Sequence, residues 1–284
     1  MNWRRIRRIV AALGLLGLAL AAWAFWLEPN SLRVVEYPVA LKRWPASLNG
    51  LRIAVISDLH AGAPFINKAK IARVVARTNA AAPDLVLLTG DIFVNGVIGG
   101  HPTPFEDTAA QLNQLRARLG VYLIYGNHEH FIDMKALAAL LATKSIHLMD
   151  NKVQRIENGA APFWLLGLAD FYSDRPDISG TLAQVTDEAP IIAFTHSPDV
   201  FPLLPARINL LVAGHTHGGQ ILLPIVGRGR TPSAYGRRRF AAGHVVEQTD
   251  LFVSTGIGTS HIPIRFRVPP EISLLTLAGA NQEQ

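Results

Sequence analysis

The chain has 284 residues, 49% of them hydrophobic and 17% charged, and it lacks cysteine. That composition suits one large packed α/β domain or two small ones, and excludes wholesale disorder, a disulfide framework and any thiolate metal site. The formal charge is +6, but Arg4, Arg5, Arg7 and Arg8 together with Arg228, Arg230, Arg237, Arg238 and Arg239 exceed it. The remainder is net acidic, so no nucleic-acid partner is expected.

Residues 1–28 read as a membrane anchor. The uncharged apolar run from Ile9 to Leu27 is long enough to cross a bilayer as a helix, and it closes on Trp23, Phe25 and Trp26, which suit an interface. A buried core helix is the alternative, but a helix with no polar face argues against it. Four arginines before the run and none immediately after predict a single pass through a bacterial inner membrane, with the following domain outside the cytoplasm. Ala22-Trp23-Ala24 also fits a small-x-small cleavage site, so a removed signal competes with a retained anchor.

Residues 29–50 carry Pro29, Pro38 and Pro45 around an apolar alternation at Leu32–Leu41, which predicts a linker and an edge strand. Residues 51–277 then run without a break as the expected main domain, and 278–284 form a polar tail. Strand-like segments occupy Leu51–Ile56, Asp84–Leu88 and Val121–Tyr125, separated by helical stretches around Lys68–Ala81 and Phe105–Leu119. A further helix is predicted at Met134–Lys144. Strands follow at Lys152–Ile156, Phe163–Ala169, Ile191–Phe194, Ile208–Val212, Leu251–Ser254 and Ile272–Leu277. Alternation of this kind predicts α/β layers with sheets buried on both faces.

Five of these strands end in polar turns: Asp58-x-His60, Gly90-Asp91, Gly126-Asn127-His128-Glu129, His196 and Gly214-His215-x-His217. Ligands bind at the carboxyl edge of open α/β sheets. The spacing of Asp58/His60 and His215/His217 would send each pair one way if the backbone there is extended. Each turn alone is commonplace: an Asp-x-His is often a helix cap, and a histidine before Ser-Pro is often a loop residue. Together the oxygen and imidazole donors suit two divalent ions, such as Mn, Fe or Zn, sharing a carboxylate. Two such ions about 3.5–4 Å apart can acidify a shared water and neutralise phosphoryl oxygens in an in-line displacement.

In this order the motifs resemble those of the calcineurin-like metallophosphoesterases, and the resemblance extends from Leu51 to Leu277. The apolar start, Gly214–Gln220, Tyr235–Arg238 and Ser254–Pro270 look like the bacterial membrane-linked branch. The resemblance implies a four-layer sandwich, two packed β-sheets flanked by helices. It also implies one metal on Asp58, His60, Asp91 and His217, and a second on Asp91, Asn127, His196 and His215. His128 would stay free as the general acid. Relatives carry an Asp three residues after the bridging one, where this chain has Val94. The carboxylate that steadies His128 must then come from elsewhere, with Glu129 the candidate.

The arginine-rich stretch Gly227–Phe240 offers Arg228, Arg230, Arg237 and Arg238 as phosphate-binding forks, or else a solvated basic loop. His101, His130, His147, His244 and His261 match no ligand position and are expected to be ordinary. The expected activity is hydrolysis of a phosphodiester or pyrophosphate, with a lipid-linked or cell-envelope substrate. A hydrolase of the UDP-2,3-diacylglucosamine type, a nuclease and a non-catalytic metal-stabilised scaffold are the competing expectations.

Overall fold

The computed structural model describes residues 2–94, 96–101, 103–159 and 161–280. Residues 281–284 of the expected tail lie outside it. Helix α1 (Trp3–Ala22) continues through a π-helical turn at Trp23–Leu27 into α2 (Glu28–Asn30), and no residue of α1 is buried. The continuous helix Trp3–Asn30 is long and apolar enough to cross a membrane.

Beyond it come β1 (Arg33–Leu41), β2 (Arg52–Ile56), α3 (Lys68–Ala80), β3 (Leu85–Leu88), α4 (Phe105–Leu112), β4 (Val121–Leu123), α5 (Met134–Leu141) and β5 (Ile146–Leu148). The second half holds β6 (Lys152–Ile156), β7 (Phe163–Gly167), α6 (Ile178–Leu182), β8 (Ile191–Phe194), β9 (Leu210–Ala213), β10 (Leu222–Leu223), β11 (Gly227–Arg228), β12 (Gly243–Val246), β13 (Asp250–Val253) and β14 (Glu271–Gly279). Among the described residues they form a sheet of order β1-β14-β2-β3-β4-β5, a second of order β12-β13-β9-β8-β7-β6, and the hairpin β10-β11.

Period-two alternation explains the layering. On β2, Ile53 and Val55 join Leu85, Leu87, Phe194, Val212 and Phe252 in the core between the sheets. Ala54 and Ile56 face the other way, onto Ile71 and Val74 of α3 and Leu137 and Leu141 of α5. The outer face of the second sheet packs Leu166, Ala193 and Leu211 against Val200, Phe201 and Phe240, with Ile178 and Leu182 of α6 at its margin. The result is the expected sandwich of two sheets between helical layers.

Several bounds differ from expectation. The helix predicted to reach Leu119 stops at Leu112, and β4 stops at Leu123. The edge strand is present as β1, with Pro38 at the sheet margin where its missing N–H removes no ladder bond on the open side. β5, β10, β11 and β12 were not anticipated; all are short, and β10 and β11 have only two residues each.

Candidate metal centre

The polar turns follow β2, β3 and β4 of one sheet and β8 and β9 of the other, so both sheets deliver their carboxyl ends to one place. Main-chain bonds hold those ends together. Asp58 N donates to Gly90 O at 3.1 Å, His60 N to Asp91 O at 3.0 Å, and Gly214 N to His196 O at 2.9 Å. The strand ends cross closely, between the sheets where a Cβ on Gly214 would lie 1.7 Å from Ser57 Oγ, and within the first sheet where one on Gly126 would lie 2.3 Å from Asp91 Oδ1. Only glycine fits at either crossing.

The predicted residues converge. Asp58, His60 and His217 form one group of donor atoms, and Asp91, His196 and His215 another. His60 Nε2 lies 3.2 Å from His217 Nε2, and His217 Nε2 lies 3.4 Å from Asp58 Oδ1. His196 Nε2 lies 3.0 Å from His215 Nδ1, 3.2 Å from Asn127 Oδ1 and 3.2 Å from Asp91 Oδ2. Asp91 Oδ2 is also 3.7 Å from His60 Nε2 and 3.8 Å from His128 Nε2, so one carboxylate oxygen faces both groups.

The donors fit a hard or borderline cation. Imidazole nitrogens that face one another around buried carboxylates need a positive centre among them. Among the described residues, His60 Nδ1 and His217 Nδ1 are buried without partners, which leaves Nε2 of each as the nitrogen aimed into the cluster. His196 is fixed from behind, its Nδ1 2.7 Å from Thr89 O, the orienting contact usual for a metal-ligating histidine.

Backbone geometry departs from the expectation. Asp58 (φ +50°), His60 (+48°), Asp91 (+52°), His215 (+68°) and His217 (+50°) all lie in the left-handed region. The paired side chains therefore do not converge because the chain is extended. They converge because the strands have ended and the backbone reverses sharply, a strained state typical of functional sites.

Electrostatics follow from burial. Burial pushes Asp58 up to about 6, with His196 opposing, and drives His60 down to about 3 and His215 to about 4. His217 lies well below the usual imidazole range through burial and the neighbouring His60. Burial raises Asp91, but His196, His60 and His128 outweigh it and hold that carboxyl well below its usual range. Burial lowers His196, yet Asp91 and Asp58 carry it well above its usual value. His60, His215 and His217 are thus neutral beside an ionised Asp91, the state that metal ligation requires, whereas His196 must give up a proton when a cation binds.

Glu129 is not beside the His128 ring. Its Oε2 accepts from Asp91 N at 2.9 Å and Gly126 N at 2.6 Å, and its Oε1 from Ile92 N at 2.7 Å and Phe93 N at 3.2 Å. Burial and the Asp91 charge push it up to about 8, while these amides favour the anion. The reason is local: a helical turn at Glu129–Phe131 aims the side chain back into the amides that close β3 and β4. His128 Nδ1 is buried and unpartnered among the described residues.

A cavity of ≈ 270 Å³ opens beside His217 and is lined also by Gln220, Arg230, Ser260 and His261. His261, expected to be ordinary, stands at this cavity, and its charge helps to lower His128. His244 and His147 are ordinary as expected: one pairs with Asp250 at 2.8 Å and the other stacks on Tyr122. Of the four arginines, Arg230 reaches the cavity and Arg228 Nη1 donates to Gly218 O at 2.9 Å. Arg237 and Arg238 are exposed and do not line it. Asp199 holds the residues before them, accepting from Ser233 Oγ at 2.6 Å and Ala234 N at 2.7 Å.

Reading by sequence missed Asp199, Tyr172 and Arg265. Tyr172 donates to Asp199, and its ring lies 5.5 Å from that of His215. Arg265 is wholly buried and donates to Thr255 O, Gly258 O and Val268 O, shaping the loop that packs against Asp58 and His60. The motifs hold no signal for these residues.

Among known proteins, a Bacillus subtilis (strain 168) protein named uncharacterized metallophosphoesterase YkuE is 29% identical over 262 residues, covering 91% of this chain and 90% of its own. Transmembrane proteins with metallophosphoesterase domain from Danio rerio and Bos taurus are 33% and 32% identical over 96% of this chain. This chain spans 62% and 61% of their respective lengths. The calcineurin-like phosphoesterase model matches residues 51–219. With that match over a sandwich whose strand ends gather the family's histidines and aspartates, the chain belongs to the calcineurin-like phosphoesterase family and is a hydrolase.

Proposed function

We propose that the chain is a membrane-anchored phosphodiesterase or pyrophosphatase that uses two divalent ions on a lipid-linked or cell-envelope substrate. The carrying observation is that Asp91 Oδ2 faces both donor groups, 3.2 Å from His196 Nε2 and 3.7 Å from His60 Nε2. Asp58, His60, Asp91 and His217 would hold one ion; Asp91, Asn127, His196 and His215 would hold the other. Bound there, the ions would supply an acidified water as nucleophile and neutralise phosphoryl oxygens.

The chain's own residues supply the rest. Arg230, at the cavity, pairs with phosphoryl oxygens. His128 Nε2 gives its proton to the leaving oxygen. Burial, with help from His196 and His261, holds His128 below its usual range despite Asp91. The apolar helix Trp3–Asn30 supports an anchor, and the arginines before it support an inner-membrane pass with the site outside the cytoplasm.

The test is hydrolysis of bis-p-nitrophenyl phosphate by the full chain in detergent, after chelation and with Mn²⁺ restored. Activity that returns with metal and is absent in Asp91→Asn supports the reading. A folded, metal-loaded protein inert towards phosphodiesters and pyrophosphates, including lipid-linked ones, would overturn it.

A further inference from the structure

The hairpin β10-β11 takes no part in the donor cluster. At its tip Ile225 is fully exposed, with Val226 at 65% and Leu223 at 42%. Ile225 has φ +68°, and Val226 N donates to Pro224 O at 2.7 Å, which makes a three-residue turn centred on a β-branched residue. Turns of this hand are rare and strained, and isoleucine is ill suited to them. Strain and apolar exposure at the same residue point to a surface that covers it.

The hairpin is tied to the base of the apolar helix. Ile221 pairs with Phe266, and Leu222 N donates to Phe266 O at 2.8 Å. Next to Phe266, Arg265 N donates to Ala24 O at 2.9 Å, and Val268 N donates to Glu28 Oε1 at 2.6 Å. Glu28 also accepts from Trp23 Nε1. Strand-like segments on one side and the helix base on the other thus share one short stretch of chain. That stretch carries exposed Ile262 immediately after Ser260 and His261 of the cavity.

We propose that Leu223–Val226 enters the acyl boundary of the same bilayer that the apolar helix crosses, holding the cavity mouth at the level of the head groups. This inference rests on the anchor reading above and deepens it: the substrate arrives from the membrane surface. A bilayer is the occupant because the hairpin is joined, through Phe266 and Arg265, to the helix base at interfacial depth. Arg228 and Arg230 both follow the aliphatic tip, Arg228 turned onto Gly218 O and Arg230 at the cavity, so the positive charge lies at the cavity mouth where anionic head groups would meet it.

The native chain has no cysteine, so single labels are unambiguous. Full chains carrying Leu16→Cys, Ile225→Cys or Glu188→Cys would each be labelled with an environment-sensitive fluorophore. They would then be placed in phosphatidylcholine–phosphatidylglycerol vesicles containing acyl-chain spin-labelled lipid. Leu16 is in the apolar helix, and Glu188 precedes β8, at the end remote from the site. Quenching at Leu16 and Ile225 is expected to exceed that at Glu188 by about threefold or more, as for groups at acyl depth against groups in water. Val226→Cys should repeat the result if Ile225→Cys is poorly folded. Quenching at Leu16 with none at either hairpin position overturns the inference and leaves the anchor standing. No quenching at Leu16 overturns the anchor reading and the inference with it.

Discussion

Glu129 Oε2 accepts the main-chain amide of Asp91 at 2.9 Å, while the Asp91 side chain turns the other way, to His196 at 3.2 Å. The glutamate thus sets the position of Asp91 through its backbone. Glu129→Gln puts an amide donor where four main-chain N–H groups point, and each buried donor left without an acceptor costs about 1–3 kcal/mol. The expected outcome is a loss of at least about 2 kcal/mol in urea unfolding together with weaker metal retention. Unchanged stability would remove the glutamate from this role.

His128→Ala should keep its metal and lose turnover in a leaving-group-dependent way. On alkyl esters the loss should reach about 10²–10⁴-fold, the range for a removed general acid, and on p-nitrophenyl esters it should be small. Metal analysis beside rates across a leaving-group series checks this. Equal loss on every ester would mean His128 serves in another role.

Asp91→Asn should lower the bound metal from two ions per chain, because a neutral amide replaces the carboxylate oxygen that faces both donor groups. Elemental analysis after gel filtration gives the ratio. A variant that still holds two ions would contradict the bridging role.

Lys70 Nζ lies buried and donates to Asn30 O at 2.9 Å and to Ser31 O, where the apolar helix enters the domain. Burial, aided by Arg73 and Arg265, lowers it to about 7 from a usual 10.5. Between those values the unfolded chain binds the proton and the folded one does not, so stability must rise with pH from about 7 to 10.5. The melting temperature of the full chain in detergent should climb over that window, and Lys70→Met should flatten the climb. A parallel slope in both proteins would assign it to other groups.

Asp199 holds the arginine-rich stretch through Ser233 and Ala234. Asp199→Ala strands those donors, a loss of about 1–3 kcal/mol, which corresponds to roughly 5- to 150-fold more local opening. Trypsin should cut at Arg237–Arg239 faster by about that factor. An unchanged cleavage rate would show that other contacts fix the stretch.

The donor residues were legible because a metal accepts few residue types, and Asp58, His60, Asp91, Asn127, His196, His215 and His217 each close a strand-like run. The layering was legible from the alternation of strand-like and helical stretches between Leu51 and Lys144. The means of holding the donors was not. Left-handed backbone at Asp58, His60, Asp91, His215 and His217 depends on packing between two sheets, and those residue types do not announce it. Glu129 was assigned to a sequence neighbour, although its carboxylate serves the amides of Asp91, Ile92 and Phe93, far along the chain. Arg265 and Asp199 act on main-chain groups, and a main chain has no motif.

In the first sheet β14 lies between β1 and β2, and its register sets Arg33 opposite Glu271. β1 therefore has no partner until residues 271–279 have been synthesised. During synthesis the segment next to the apolar helix must wait, unpaired, while the interior strands collapse. Arg265 and Val268, which fasten the helix base, arrive only shortly before β14. The enzyme consequently fixes its N-terminal helix and closes its first sheet in one late step, and a nascent chain interrupted before that step would carry the helix with its mount unmade.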